Sequence, residues 1–223
     1  ISGGVGFIGM NLFRKIAALR DDCFVLSPAS RYHWRVTSAG DIQADQLISC
    51  DITDKSALAA VFLKYKPRTI FNLAAYGAYS RQDEARLIYD TNVIGTLNLL
   101  EACRDIAAFV NAGSSSEYGF NSAAPAERSE LKPNSHYAVS KISAAYLLKY
   151  FAEVHKTPAV NLRLYSAYGP WEEPDRLIPV LLQHARQGKL PSLVDPTVSR
   201  DFVFVDDVVE AFLNAALYLN PSD

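Results

Sequence analysis

Between Ile1 and Leu164, short apolar runs alternate six times with longer amphipathic stretches, and this alternation limits the fold more than any other feature of the chain. The runs are the last two residues of a strand at Ile1-Ser2, then 23–26, 46–50, 68–75, 106–112 and 158–164. Helical patterns lie between them at 10–20, 53–65, 83–104 and 135–155. Thr53 or Asp54 supplies a capping side chain and Pro67 a stop for the second, and Gly95 weakens the third. Strands that are apolar throughout are covered on both faces. The spacing therefore predicts a doubly wound parallel sheet of Rossmann type over 1–164, joined by right-handed helical crossovers. After Tyr165 the alternation loosens. A helix over 175–187, a strand over 201–205 and a helix over 206–218 are expected to form a smaller lobe, 165–223, above the strand ends.

With 223 residues and 49% hydrophobic content, the chain can bury a full core. A net charge of −2, without runs of one sign, argues against nucleic acid or an anionic membrane as partner and for a small molecule. Cys23, Cys50 and Cys103 are isolated, and His33, His136, His155 and His184 lack metal-ligand spacing. Neither a disulfide framework nor a metal site is expected, and the predicted setting is reducing and cytoplasmic. No leader and no uninterrupted apolar run of about 20 residues is seen. Because a glycine turn of this kind follows a complete strand, most of the first strand is expected to be missing from the sequence.

Three stretches carry chemistry. Gly3, Gly6 and Gly9 frame Phe7 and Ile8 just ahead of a helix, where backbone N–H groups can meet a pyrophosphate. Ser114, Ser115, Ser116 and Glu117 follow directly on a strand end, the position at which open α/β sheets place ligand chemistry. Tyr137 and Lys141 lie one helical turn apart, so the ammonium is expected to favour phenolate and lower the phenol from its usual value of about 10. Alone, such a pair more often marks a solvated helix face. At the end of the second strand, Ser27, Ser30 and Arg31 replace the acidic residue that holds an NAD ribose, which tilts the expected cofactor from NAD towards NADP.

The order Gly3-x-x-Gly6-x-x-Gly9, serine cluster, Tyr137-x-x-x-Lys141 resembles that of the extended short-chain dehydrogenase/reductases, specifically the nucleotide-sugar epimerases and dehydratases. Further family-like stretches are Asn72-Leu73-Ala74-Ala75, Asn92-Val93-Ile94-Gly95-Thr96, the run from Leu162 through Tyr165 and Ser166 to Pro170, and Arg200 to Asp207. The resemblance implies that residues 1–164 bind NAD or NADP and that 165–223 form part of a substrate lobe. It places catalysis on Tyr137 and Lys141 with Ser114, or Ser115 if the loop is shifted by one. It assigns Asp51 and Ile52 to adenine, and Leu73, Ala74, Ala75, Asn92 and Tyr165 to the cofactor. Ser116, Glu117, Ser166, Arg176 and Arg200 go to a nucleotide-diphosphate sugar. Family dehydratases carry an acidic pair where this chain has Ser115 and Ser116, so epimerisation through a 4-keto sugar is expected first, an NADPH-dependent 4-ketoreductase second, and a 4,6-dehydratase or a non-catalytic sensor after those. The resemblance further implies a homodimer built on the helices over 83–104 and 135–155, and a chain that continues about another hundred residues past Asp223.

Overall fold

The computed structural model describes residues 1–28, 33–103, 105–193 and 199–220. The elements in chain order are α1 (Phe7–Ala17), β1 (Val25–Ser27), α2 (Trp34–Ala39), β2 (Leu47–Ser49), α3 (Lys55–Tyr65), β3 (Thr69–Asn72), α4 (Ala85–Tyr89), α5 (Thr96–Ala102), β4 (Ala108–Ser114), α6 (His136–Val154), β5 (Ala159–Leu164), β6 (Ser166–Tyr168), α7 (Leu177–Arg186), β7 (Phe202–Phe204) and α8 (Val205–Leu219). β1 pairs parallel with β2, and β3, β4 and β5 form a parallel ladder in that order. Ser2 bridges Leu26 on one side and Asn72 on the other. The first strand remnant thus joins the two groups into one sheet, ordered β2-β1-Ser2-β3-β4-β5, the doubly wound arrangement predicted from the alternation.

Period-two burial explains why both faces are covered. Ile70 and Phe109 point into a core with Leu58, Leu99, Leu100 and Leu148 from α3, α5 and α6. Their neighbours Phe71 and Val110 point the other way, to Leu12 of α1 and to Val208, Val209 and Phe212 of α8. α8 is therefore a layer of the main sheet, not a roof over the strand ends. Its apolar stripe packs on β3 and β4, and the short parallel pair β6–β7 forms a separate ladder that sends Ala167 and Val203 to the same cluster.

The helix expected over 83–104 begins at Ala85 and is interrupted by a π-helical turn, Asp90–Gly95, between α4 and α5. Asn92 lies in that turn. Its amide accepts from Tyr76 N and donates to Tyr76 O, at 2.8 Å each, and also donates to Ser140 Oγ at 2.9 Å. The widened turn brings Asn92 to the chain leaving β3, a local bulge of the kind that recurs at functional sites. Gly95 is needed where the helix crosses β2's end, because a Cβ there would lie 2.5 Å from Ile52 Cδ1.

A row of buried polar side chains crosses the sheet in register. Ser2 Oγ donates to Asn72 Oδ1 (2.6 Å), Asn72 Nδ2 to Thr96 Oγ1 (3.1 Å) and Asn111 Oδ1 (2.8 Å), and Asn111 Nδ2 to Asn161 Oδ1 (2.7 Å). Asn161 Nδ2 reaches Glu117 Oε1 at 3.3 Å, and Arg163 Nε closes the row on Glu117 Oε2 at 2.7 Å. Replacing Asn111 with Leu leaves a donor of Asn72 and an acceptor of Asn161 without partners. The variant is expected to lose about 2–4 kcal/mol of stability, measured by urea unfolding.

Candidate active site

Ser135 caps α6 by accepting from Ala138 N at 3.1 Å, and this sets Tyr137 and Lys141 on the face turned to the end of β4. Lys141 is 5% exposed and donates from Nζ to the carbonyl of Ala112 at 3.0 Å. Its ammonium stands 5.6 Å from the centroid of the Tyr137 ring. Burial pushes Lys141 down to about 8, partly opposed by Glu117. Tyr137 is pushed up to about 12, first by lost solvation and then by Glu117 and Tyr79, against the lowering effects of a hydrogen bond with Ser114 and of Arg176.

The lowering of Tyr137 expected from the Tyr–Lys spacing is thus reversed. The ammonium is spent on a backbone carbonyl beside the ring, while the hydroxyl gives up its water. Ser114, the last residue of β4, is the serine that meets the phenol; its Oγ also accepts from Ser116 N at 3.1 Å.

These groups open on a cleft of about 1040 Å³. Its lining includes Gly3, Gly6, Phe7, Ile8 and Gly9 from the first turn, Leu73 and Ala75 after β3, Ser114, Ser115 and Ser116 after β4, Tyr137 and Lys141, and Tyr165, Ser166, Arg176 and Arg200. Gly3 has φ +68° and passes so close to the chain after β3 that a Cβ would lie 2.6 Å from Ala74 N. The N-terminus of α1 therefore opens into the cleft, where it favours an anion.

Other expected residues lie elsewhere. Ser27 is buried at the end of β1, Ile52 packs in the core, and Ala74 stands behind Gly3. Asp51 is exposed and accepts from Thr53 N (2.9 Å) and Oγ1 (2.8 Å). None of these four lines the cleft, nor does Asn92, whose amide is consumed by Tyr76 and Ser140. Arg31 and Ser30 fall outside the described residues. Glu117 does not fit the substrate role expected of it. It is fully buried, accepts from Ser114 N at 2.9 Å and pairs with Arg163, so both oxygens face inward.

The cleft also holds residues that spacing alone passed over. Tyr79 follows the small-residue end of β3, and Arg81 and Arg176 stand 4.7 and 5.4 Å from its ring centroid; burial raises its phenol first of all. Glu172 has a side chain 7% exposed, lies 3.7 Å from Arg176 Nε, and is raised chiefly by burial. A signal was present: Tyr79 stands four residues past Ala75 and Glu172 two past Pro170, each just beyond a stretch already singled out. Among the described residues, no cluster of His, Cys, Asp or Glu forms a metal site, and no helix is long and apolar enough to cross a membrane.

Sheet order and glycine turn define a doubly wound α/β protein of Rossmann type, with Ser114, Tyr137 and Lys141 gathered on one cleft at the strand ends. The chain belongs to the NAD dependent epimerase/dehydratase family, whose model matches residues 1–221. It is 29% identical over 235 residues to a dTDP-glucose 4,6-dehydratase of Neisseria meningitidis serogroup B, an alignment covering 95% of this chain and 65% of that protein. It thus spans about two thirds of the length of such curated relatives. Among solved structures it is similar to UDP-glucose 4-epimerase of Thermotoga maritima with UDP-glucose, at TM-score 0.85 and 26% identity, covering 96% of this chain and 71% of that one. It is also similar to a double mutant of the dTDP-glucose 4,6-dehydratase DesIV of Streptomyces venezuelae with NAD bound, at TM-score 0.81 and 27% identity, covering 98% and 71%.

Lys141 gives the site a pH signature. Its folded pKa of about 8 lies below the ordinary 10.5, so above pH 8 the unfolded chain holds more protons and the group's contribution to stability rises with pH until both forms are neutral. The unfolding free energy of wild type minus that of Lys141→Met is expected to increase between about pH 8 and 10.5 and then level off, as read by urea unfolding at each pH.

Proposed function

We propose that the chain is an NAD(P)-dependent nucleotide-sugar epimerase acting through a transient 4-keto sugar. The observation that carries this reading is the gathering of Ser114, Tyr137 and buried Lys141 on the wall of a cleft floored by the glycine turn. Such a group handles the proton of a single hydroxyl group. The residues fit a dinucleotide. The close approach of Gly3 to Ala74 leaves the start of α1 open, so the N–H groups near Phe7 and Ile8 would take the pyrophosphate. Leu73, Ala75 and Tyr165 would line the rest, and Lys141 would hold the nicotinamide ribose. When bound, the nicotinamide supplies a reversible hydride acceptor at the sugar carbon.

Tyr137 in its phenolate form would take the proton of the sugar hydroxyl as hydride leaves the same carbon, becoming the phenol, and would return that proton when hydride comes back to the keto carbon; Ser114 would keep the hydroxyl in line. Lys141, fixed on Ala112 O, keeps positive charge beside the ring during the transfer. Arg176 and Arg200 would grip the diphosphate, with Ser116 and Ser166 offering hydroxyls to the sugar. Relatives named for dTDP-glucose and UDP-glucose chemistry support the substrate class. Dehydration is disfavoured because Ser115 and Ser116 are not acidic and Glu117 is committed to Arg163. One observation favours a second reading: Ser27, not a carboxylate, ends β1, which suits NADP and a 4-ketoreductase. A purely sensing role is disfavoured by the intact Ser114, Tyr137 and Lys141.

Incubation with UDP-, dTDP-, GDP- and CDP-sugars is expected to give an epimer without net change in nicotinamide absorbance, whereas stoichiometric use of NADPH selects the ketoreductase. Tyr137→Phe is expected to lower kcat by about 10²- to 10⁴-fold with sugar-nucleotide affinity kept, measured by steady-state kinetics and calorimetry. We further propose a homodimer. Leu87 of α4, Ile94 of the π turn, and Tyr146, Tyr150 and Val154 of α6 are exposed large apolar side chains that suit a helical seam. Tyr146→Asp is expected to shift the mass measured by light scattering from dimer towards monomer.

A further inference from the structure

The turn from Gly169 to Arg176 brings Glu172 and Arg176 to the cleft, and its backbone is strained. Trp171 has φ +70°, a left-handed conformation that costs a bulky residue on the order of 1–3 kcal/mol and persists only where neighbours enforce it. Those neighbours come from the opposite half of the chain. Asn11 Nδ2 of α1 donates to the carbonyl of Pro170 at 2.9 Å. Arg35 of α2, 2% exposed, donates from Nε to the carbonyl of Trp171 at 2.7 Å and from Nη2 to Glu173 Oε1 at 3.1 Å. Its guanidinium stands 4.4 Å from the ring centroid of Trp34, whose ring is 6.4 Å from that of Trp171.

An arginine fork divided between a carbonyl and a carboxylate, and stacked on an indole, is locked in direction. On the other side of the turn, the contacts are incomplete. Glu172 Oε2 is buried without a hydrogen-bond partner, and the Glu172–Arg176 separation of 3.7 Å is too long for a strong pair. The clamp therefore spends its bonds on holding the backbone and leaves the cleft-facing side chains with bonding capacity for a ligand.

We propose that Arg35 is a positioning residue for the substrate: through Trp171 and Glu173 it holds the 169–176 turn in the strained form that sets Glu172 and Arg176 against a nucleoside-diphosphate sugar. The inference rests on the nucleotide-sugar reading above. A cation on the helix after β1 has another conventional use, at a ribose 2′-phosphate, but Nε and Nη2 of Arg35 are already engaged away from the cleft and the residue does not line it.

The test compares the full chain with Arg35→Met, Arg35→Lys and Glu173→Gln, using whichever of UDP-glucose, UDP-glucuronate or dTDP-glucose the wild type binds and turns over. The chain has two tryptophans, Trp34 and Trp171, and both stand at the clamp, so intrinsic fluorescence reports its state without any ligand. For Arg35→Met, the emission is expected to shift to the red and KM for the sugar nucleotide to rise about 10- to 100-fold, with the dissociation constant for NAD(P) changed by less than about twofold. Arg35→Lys recovers part of the KM. Glu173→Gln, which keeps the bond to the Trp171 carbonyl, raises KM less than Arg35→Met and decides the matter if that variant does not fold. An unchanged KM in Glu173→Gln and Arg35→Lys, or a loss confined to cofactor affinity, overturns the proposal, whatever happens to the melting temperature. A wild type that binds none of the three sugar nucleotides overturns the functional reading itself; binding that survives Arg35→Met unchanged overturns this inference alone.

Discussion

The structure depends on one row of hydrogen bonds laid across its parallel sheet. Asn72, Asn111 and Asn161 occupy matching register positions on three neighbouring strands, and each amide bonds the next. Asparagine has two donors and an acceptor on one short side chain, so a buried row of them satisfies itself only when the strands are in this register. A shift by one residue would turn every amide to the opposite face. The row is anchored at one end by Ser2 and at the other by the Glu117–Arg163 pair. Because Glu117 also accepts from Ser114 N, the register of the sheet is carried directly to the serine that meets Tyr137.

Burial, more than charge proximity, governs the acid–base character of the site. Placing the phenol and the ammonium out of water moves Tyr137 up and Lys141 down, so each is shifted towards its neutral form. The hydrogen bond with Ser114 and the positive charge of Arg176 pull the phenol the other way. The phenol thus stands between lost solvation, which raises it, and a nearby hydroxyl and cation, which lower it.

The cleft is assembled from segments that follow the first strand remnant, β3, β4 and β5 and from one turn that the sheet does not support. Strand ends supply the glycine turn, the small residues after β3 and the serines after β4. The 169–176 turn instead depends on Asn11 and Arg35, which lie more than a hundred residues earlier in the chain. Tyr79 completes this wall beneath Arg81 and Arg176.

Much was legible in the residues themselves. Six alternations of apolar and amphipathic stretches pointed to a doubly wound sheet, because short continuous apolar runs mark strands covered on both faces and longer 3.6-period stretches mark the helices that cover them. The segments singled out by the glycine spacing and by the Tyr137–Lys141 interval line one cleft. Five things were decided only by tertiary structure. The ionisation of Tyr137 follows from solvation, which spacing does not encode. Glu117 became an internal partner of Arg163 because the serine turn folds back under the sheet, and Asp51 stayed outside the cleft because its carboxylate caps its own turn. The bonds of the asparagine row and of Arg35 join residues from 24 positions apart, at Asn72–Thr96, to 138 apart, at Arg35–Glu173, and each is made only when strands and loops have met. The sequence by itself determined most of the strands and helices and which segments meet at the cleft; the packed structure decided which polar side chains there keep bonding capacity, since a hydrogen bond already made inside the fold is no longer available to another partner.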